Sequence, residues 1–162
     1  MLESQRIKAS LRILLAALLI GLVGAPAGAA DWRLTAMRYT DFGLSLSFID
    51  VQSIRGGNGK VEFSTLTFFN RETRKMNRVS AIVAADCPSR TYSFRQIVLF
   101  QNQERLSEWH STAPSTAMPR SNVFDSINSA CGVSTFGMHV ESVESFAADY
   151  FKKWPGRRSK SA

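Results

Sequence analysis

Cysteine and histidine are both scarce in this chain, and the usual sequence patterns of catalytic or metal sites are missing. The 162 residues include 2 cysteines and 2 histidines. The cysteines do not have CxxC spacing, so nothing indicates a four-ligand structural zinc site. No GxSxG, HExxH, Walker or EF-hand pattern is present. We therefore expect neither an enzyme of a motif-bearing class nor a bound cofactor.

Internal repeats are missing too, and long apolar runs are missing from most of the chain. No self-similar period of about 20–50 residues is visible, which argues against a solenoid. Past residue 25, no apolar run has the roughly 20 residues that a membrane-spanning helix needs. Hydrophobic residues make up 44% and charged residues 20%, as in ordinary globular proteins. One globular domain is expected.

The N-terminal segment has the layout of a secretory signal peptide. A basic start precedes an uncharged apolar run at residues 13–25, and small residues follow. Cleavage after Ala29 or after Ala30 fits the small-x-small pattern. A membrane anchor is the alternative, although the apolar run is short for one. We expect residues 1–29 to be a signal peptide and the protein to be exported to the periplasm or the cell surface.

The remaining chain divides into a folded part and a tail. Residues 30–154 are expected to form the domain, and residues 155–162 a basic disordered tail. Within the domain, export would place Cys87 and Cys131 where disulfides persist. An intrachain bridge across their 44 positions would stabilise the fold by about 4 kcal/mol. An intermolecular bridge, and catalytic or metal use of the thiols, are the alternatives.

Alternating, β-branched and aromatic residues predict six strands in the first two thirds of the chain. The predicted strands are residues 32–37, 44–51, 60–69, 79–85, 92–100 and 105–109. Turns or polar connections are expected at residues 41–43, 55–59, 70–75 and 102–104. In the fifth strand, simple alternation places Phe94 and Gln96 on the face opposite to Ile97.

Helical spacing replaces strand alternation in the last third of the chain. Residues 121–130 have apolar side chains three or four positions apart, with Ser121 or Asn122 as the candidate N-cap. Residues 140–151 form a second amphipathic pattern, and residues 112–119 are expected to be a loop. Strands followed by helices indicate an α+β fold, in which helices cover one face of an antiparallel sheet.

Basic residues are the candidate binding groups, because the chain carries a net charge of +7. Attraction to an acidic lipid, lipopolysaccharide or sulfated glycan surface is the functional interpretation, and a solvated loop and tail are the alternative. Nucleic acid is not an expected partner of an exported protein. The candidates form two groups in the sequence, Arg71, Arg74, Lys75 and Arg78 in the first and Lys152, Lys153, Arg157 and Arg158 in the second.

Four passages resemble the surface-adhesin protein E family. They are the opening Trp32 with its short strand, the segment FIDVQSI at residues 48–54, Asp86-Cys87 before an aromatic strand, and the stretch from Trp109 to the second cysteine. The resemblance covers about residues 32–131. Phe63 and Phe68 occupy a strand in which the family tends to have a tryptophan, and the segments after Cys131 are additions.

The resemblance implies an antiparallel sheet of about six strands, with a helix fastened to one face by a Cys87–Cys131 disulfide; the extra C-terminal helix at residues 140–151 is expected from its spacing alone. The resemblance also implies an exported, non-catalytic protein that binds an envelope or extracellular partner, with a homodimer possible. A periplasmic structural or assembly accessory is the second hypothesis. A small hydrolase is the third, and it would need His110 or His139 beside a serine and a carboxylate. Asp50 is expected to accept backbone hydrogen bonds in a turn.

Overall fold

The computed structural model describes residues 29–40, 43–73 and 76–155, without the side chains of residues 71–73. The predicted signal peptide, apart from its last residue, and nearly all of the predicted tail lie outside these residues. The described chain contains β1 (Trp32–Thr40), β2 (Gly43–Gly57), β3 (Lys60–Thr73), β4 (Met76–Asp86), β5 (Thr91–Gln101), β6 (Glu104–Trp109), β7 (Ser115–Thr116), α1 (Asn122–Ala130) and α2 (Val143–Lys153).

The strands form one antiparallel sheet in the order in which they occur along the chain. Each of the strands β1 to β5 pairs with the next, and the short β7 pairs with β5. Such a meander needs only short hairpins between neighbours. The predicted antiparallel sheet of about six strands with a disulfide and two helices is confirmed. β7 lies inside the segment predicted to be a loop.

Two hairpins are longer than the sequence pattern predicted. β2 continues to Gly57, and the turn contains only Asn58 and Gly59, which both have positive φ. Most of the polar connection predicted at residues 70–75 is also strand, because β3 extends to Thr73. Backbone pairing continues here past the last apolar residues, since hydrogen bonds between strands do not require a buried side chain.

An irregularity in β5 makes the predicted face assignment in that strand wrong. Ile82 of β4 pairs with Gln96, whereas the next residue Val83 pairs with Phe94, so Arg95 is an extra residue without a partner in β4. A bulge of this kind shifts the alternation by one position. Phe94 and Ile97 therefore pack in the same apolar cluster instead of on opposite faces.

The two helices cover opposite faces of the sheet, which corrects the expectation that helices lie on one face only. On β2, Ser45 accepts a hydrogen bond from Asn122 of α1, whereas the buried Leu46 belongs to the apolar cluster of α2. Farther along β2, Ile49 packs with α1 and Phe48 with α2. Because neighbouring residues of a strand point to opposite faces, the sheet lies between the helices.

Helix α1 is joined to the sheet at both of its ends. The Ser121 side chain is the N-cap and accepts from the Phe124 N–H, while Asp125 pairs with Arg38 of β1. At the other end, Cys131 is the C-cap and bonds to Cys87 just after β4, with 5.7 Å between the Cα atoms. The predicted intrachain disulfide is confirmed.

Replacing the N-cap should weaken this helix by a measurable amount. Ser121→Ala leaves the N–H of Phe124 without its acceptor, and we expect the free energy of unfolding to fall by about 1 kcal/mol. Urea unfolding would measure this change. Ser121→Asp retains a capping oxygen and serves as the matched control, and equal losses in the two variants would contradict the capping role.

Helix α2 begins three residues later than the sequence pattern predicted. Its N-cap is Ser142, and Val140 is not helical because its N–H donates to the Trp32 carbonyl. The N–H of Leu34 donates to the Met138 carbonyl in the same way. The segment at residues 138–140 therefore pairs with β1 before the helix starts. Within the described residues, no helix has the length and apolar content of a membrane span.

The turn that carries Cys87 depends on one carboxylate. Asp86 Oδ1 accepts hydrogen bonds from the Ser89 N–H at 3.0 Å and from the Ser89 hydroxyl at 2.7 Å. These bonds, with a smaller contribution from the charge of Lys60, hold the pKa of Asp86 below its usual 3.8. The stability that Asp86 contributes is therefore present above about pH 4 and is lost as the pH falls through the lower pKa of the folded state.

An Asp86→Asn variant should consequently lose less stability in acid than the wild-type protein. The wild type is expected to have the higher melting temperature at pH 7, and the difference should shrink as the pH falls below about 4. Thermal unfolding between about pH 2 and 7 would measure both curves. A difference that is independent of pH would contradict an ionised Asp86 in this turn.

Candidate functional site

Arg78 is held in the sheet face that α2 partly covers. It lies in β4 opposite Phe68, and its guanidinium carbon lies 4.2 Å from the centroid of the Phe100 ring. The side chain is only 16% exposed. Such a stacked arrangement is favourable for a guanidinium, whose flat faces are weakly hydrated.

The hydrogen bonding of Arg78 is incomplete. Its Nη1 lies 3.5 Å from Oε1 of Glu144 in α2, and that carboxylate is 60% exposed. Within the part of the chain that the structure describes, the buried Nε of Arg78 has no hydrogen-bond partner. A buried donor without a partner costs about 1–3 kcal/mol, and more when it is charged. Among the described side chains, the acidic partner of this largely buried cation is Glu144, which is 3.5 Å away and solvent-exposed.

A cleft of about 290 Å³ opens beside this guanidinium, between α2 and the ends of β3, β4 and β5. Phe68 and Phe151 form apolar walls, and side-chain amides form part of the rim. Asn77 donates to the Asn102 side chain at 2.8 Å and accepts from the Asn102 N–H at 2.7 Å, which fixes both amides. We call this the Arg78 cleft.

A second, shallower hollow of about 530 Å³ lies at the opposite end of β4. Its basic groups are Arg55, Lys60 and Arg95, and small residues such as Ala84 leave room above the sheet. Arg95 Nε lies 3.6 Å from Glu62 Oε2, and both side chains are half exposed. Exposed pairs of this length contribute little energy, so Arg95 is able to exchange partners.

The basic residues of this hollow were not among the sequence candidates. Arg55 lies in a segment predicted to be a turn, and Arg95 lies in a strand whose alternation predicted a different register. Only the pairing of the consecutive strands β2 to β5 brings them together. The sequence features at these positions are the glycine-rich segment that follows Arg55 and the strand that contains Arg95. Neither feature specifies on which face of the sheet the arginine lies.

Of the eight basic residues that the sequence analysis proposed for binding, Arg78, Lys152 and Lys153 have described side chains. Arg78 lines the cleft, and Lys152 and Lys153 lie exposed in the last turn of α2, where cations complement the helix dipole. The structure brings Arg78 to α2 through Glu144. The other candidates lie outside the described residues or have undescribed side chains, namely Arg71, Arg74, Lys75, Arg157 and Arg158.

The two histidines bind acidic groups. His110 follows β6, where its Nδ1 lies 2.7 Å from the Arg95 carbonyl oxygen and its Nε2 lies 3.2 Å from Glu108. His139 Nδ1 lies 2.7 Å from Asp31 Oδ1. Hydrogen bonds from Arg33 and then from His139 hold the pKa of Asp31 below its usual 3.8. A serine hydroxyl bonded to either imidazole, which the hydrolase hypothesis needs, is not found within the described residues.

Asp50 accepts backbone hydrogen bonds as the sequence predicted, but it lies within β2 and not in a turn. Its Oδ1 accepts hydrogen bonds from the backbone N–H groups of Asp31 and Gln52, at 3.0 and 3.1 Å. No group of three or more histidine, cysteine, aspartate or glutamate side chains able to hold a metal ion occurs in the part of the chain that the structure describes. No protein-family model, curated protein or solved structure matches this chain.

Proposed function

We propose that the protein is an exported, non-catalytic binding module that holds an anionic group of an envelope or extracellular partner in the Arg78 cleft. The observation that carries the proposal is the incomplete coordination of Arg78, a largely buried guanidinium stacked on Phe100. The resemblance to the surface-adhesin protein E family stays a prediction and agrees with this function.

The chemistry of the cleft favours a carboxylate, phosphate or sulfate. A guanidinium binds such groups through two parallel N–H···O bonds, whereas among the described side chains Arg78 has a single long contact to a carboxylate, that of Glu144. Glu144 is exposed and is able to turn towards solvent when a stronger acceptor enters. The amides of Asn77 and Asn102 would then face the polar part of the partner beside that anionic group.

The basic hollow at the far end of β4 supports contact over a wider area. Arg95 and Arg55 lie at that end and Arg78 at the other, so an extended acidic partner would meet cations at both ends of the strand. Long-range attraction of this kind raises the rate of association and weakens with salt.

Replacing Arg78 should weaken binding to a polyanion. We expect Arg78→Gln to reduce the affinity for heparin, used as a sulfated probe, by about tenfold, since it removes a charge-assisted hydrogen bond. Isothermal titration at low salt would measure the change. Arg120→Gln is the matched control, because it removes the same charge from an exposed residue just before α1, the helix on the opposite face. Equal losses in both variants would contradict a site at Arg78.

A periplasmic assembly accessory is the second candidate, and it is favoured by exposed apolar side chains near the edge of the sheet. Met37 and Tyr39 of β1 and Met138 of the segment pairing with β1 are all exposed. Exposed apolar side chains on neighbouring segments are typical of protein–protein contact. Recovery of an envelope protein by the wild type but not by Tyr39→Arg, with unchanged heparin binding, would favour this candidate over the first.

A further inference from the structure

Asp31, which directly precedes β1, is anchored through its backbone nitrogen. Asp31 N donates to Asp50 Oδ1 at 3.0 Å, and the Asp31 carbonyl accepts from the Val51 N–H at 3.0 Å. Ala29 and Ala30 precede it and are exposed. Of the described residues from Ala29 onward, Asp31 is the first whose backbone is hydrogen-bonded.

The Asp31 side chain is anchored as well. Its carboxylate accepts from Arg33 Nε at 2.8 Å and from Arg33 Nη2 at 3.1 Å, and it lies 2.7 Å from His139 Nδ1. Asp31 is therefore attached to its own strand, to β2 through Asp50, and to the segment that pairs with β1.

The charges around this residue are unbalanced. Asp31, Arg33, His139 and Glu141 line an open hollow of about 480 Å³, and the Asp50 carboxylate accepts from the Asp31 nitrogen. Three carboxylates thus meet one permanent cation and one histidine. An additional positive charge at the Asp31 nitrogen would be 3.0 Å from the Asp50 carboxylate oxygen that already accepts from this nitrogen.

We infer that export processing cuts the bond between Ala30 and Asp31, and that the new N-terminal ammonium of Asp31 forms an ion pair with Asp50. Hydrolysis adds the hydroxyl of water to the Ala30 carbonyl carbon and its proton to the Asp31 nitrogen, which takes up a further proton at neutral pH. The amide donor seen on Asp50 becomes a charged donor, and charge-assisted hydrogen bonds are roughly twice as strong as neutral ones.

The geometry distinguishes between two cleavage positions that the sequence does not separate. Cutting after Ala29 would place the ammonium on Ala30, which is exposed. The nitrogen that donates to Asp50 belongs to the next residue, Asp31. Cutting after Ala30 places the ammonium on the bonded nitrogen itself. Ala30 and its neighbour are exposed to a peptidase, whereas the following residues are held in the sheet.

The first test is the mass of the protein recovered from the periplasm of cells that express the full chain. A mature protein that begins at Asp31 is expected. A mature protein that begins at Ala30, or an uncut chain, would overturn the inference. The inference rests on the export that the proposed function includes, but this measurement involves no ligand, so a start at Ala30 would overturn the inference and leave binding in the Arg78 cleft unaffected.

The second test measures the ion pair through stability. Two proteins are compared, one beginning at Asp31 and one retaining Ala29 and Ala30 in front of it, each with and without Asp50→Asn. The loss of melting temperature caused by Asp50→Asn should be about 2–4 °C larger in the protein that begins at Asp31. Equal losses in the two proteins would overturn the ion pair.

The two proteins without the Asp50→Asn substitution can also be compared as a function of pH. This measurement remains possible if Asp50→Asn fails to fold. An α-amino group ordinarily titrates at about 7.7–8.0, so the extra stability of the protein beginning at Asp31 should be present at pH 6. It should disappear above about pH 9, when the amine is neutral. A stability difference that is the same at both pH values would contradict a charged contact with Asp50.

Discussion

Removing the disulfide is expected to lower the free energy of unfolding by about 4 kcal/mol. The double variant Cys87→Ala with Cys131→Ala opens a link that spans 44 positions and joins the end of β4 to the C-cap of α1. Much of the loss comes from the unfolded chain, which regains conformational freedom without the link. Urea unfolding of the oxidised wild type and of the variant would measure the difference.

A reducing agent provides the control for this prediction. It should destabilise the wild type by about the same amount and should leave the double variant unchanged. Hydrogen exchange would show where the loss acts, since α1 is also attached through the Ser121 cap and the pair of Arg38 with Asp125. A loss below about 1 kcal/mol would contradict the stabilising role of the bridge.

Truncating Phe48 should destabilise the fold by a similar amount, about 3–5 kcal/mol. Its side chain is completely buried on the face covered by α2, and its ring lies edge-on to Phe68 at 6.0 Å and to Phe146 at 5.9 Å. Phe48→Ala leaves a cavity between β2, β3 and α2 and removes both aromatic contacts. Chemical unfolding would measure the loss of stability, and far-UV circular dichroism would follow the helix.

Two variants serve as controls for Phe48→Ala. Phe48→Leu retains most of the buried volume and should lose clearly less stability than the alanine variant. Phe136→Ala removes a phenylalanine from an exposed loop position and should change the free energy of unfolding by about 0.5 kcal/mol or less. Similar losses for all three variants would contradict the packing of α2 on Phe48.

Both predictions concern the attachment of helices to the sheet, and this attachment also creates the candidate site. α2 has only one face against β2 and β3, so the cleft with Arg78 opens along its side. If α2 were detached, Glu144 and Phe151 would no longer line the cleft. Variants at Phe48 are therefore expected to reduce binding of a polyanion in proportion to the fraction of unfolded α2, whereas Arg78→Gln reduces it in a folded protein.

The candidate site could be predicted from the sequence only in part. Net charge and the basic run at residues 71–78 nominated Arg78, but nothing local indicated that it would stack on Phe100 under α2. Arg95 was missed because its position depends on the bulge in β5. The sequence also predicted the acceptor role of Asp50 without showing that the bonded nitrogen belongs to Asp31.

The sequence by itself indicated the six longer strands without all of their ends, the single cysteine pair and the two helical patterns, because side-chain alternation and helical spacing are local properties. The tertiary structure alone decided strand register, the bulge at Arg95, the opposite placement of α1 and α2, and the groups that surround Arg78 and Asp31. These features arise from contacts between residues far apart in the chain, and a local pattern that fits two alternative registers or faces equally well does not distinguish them.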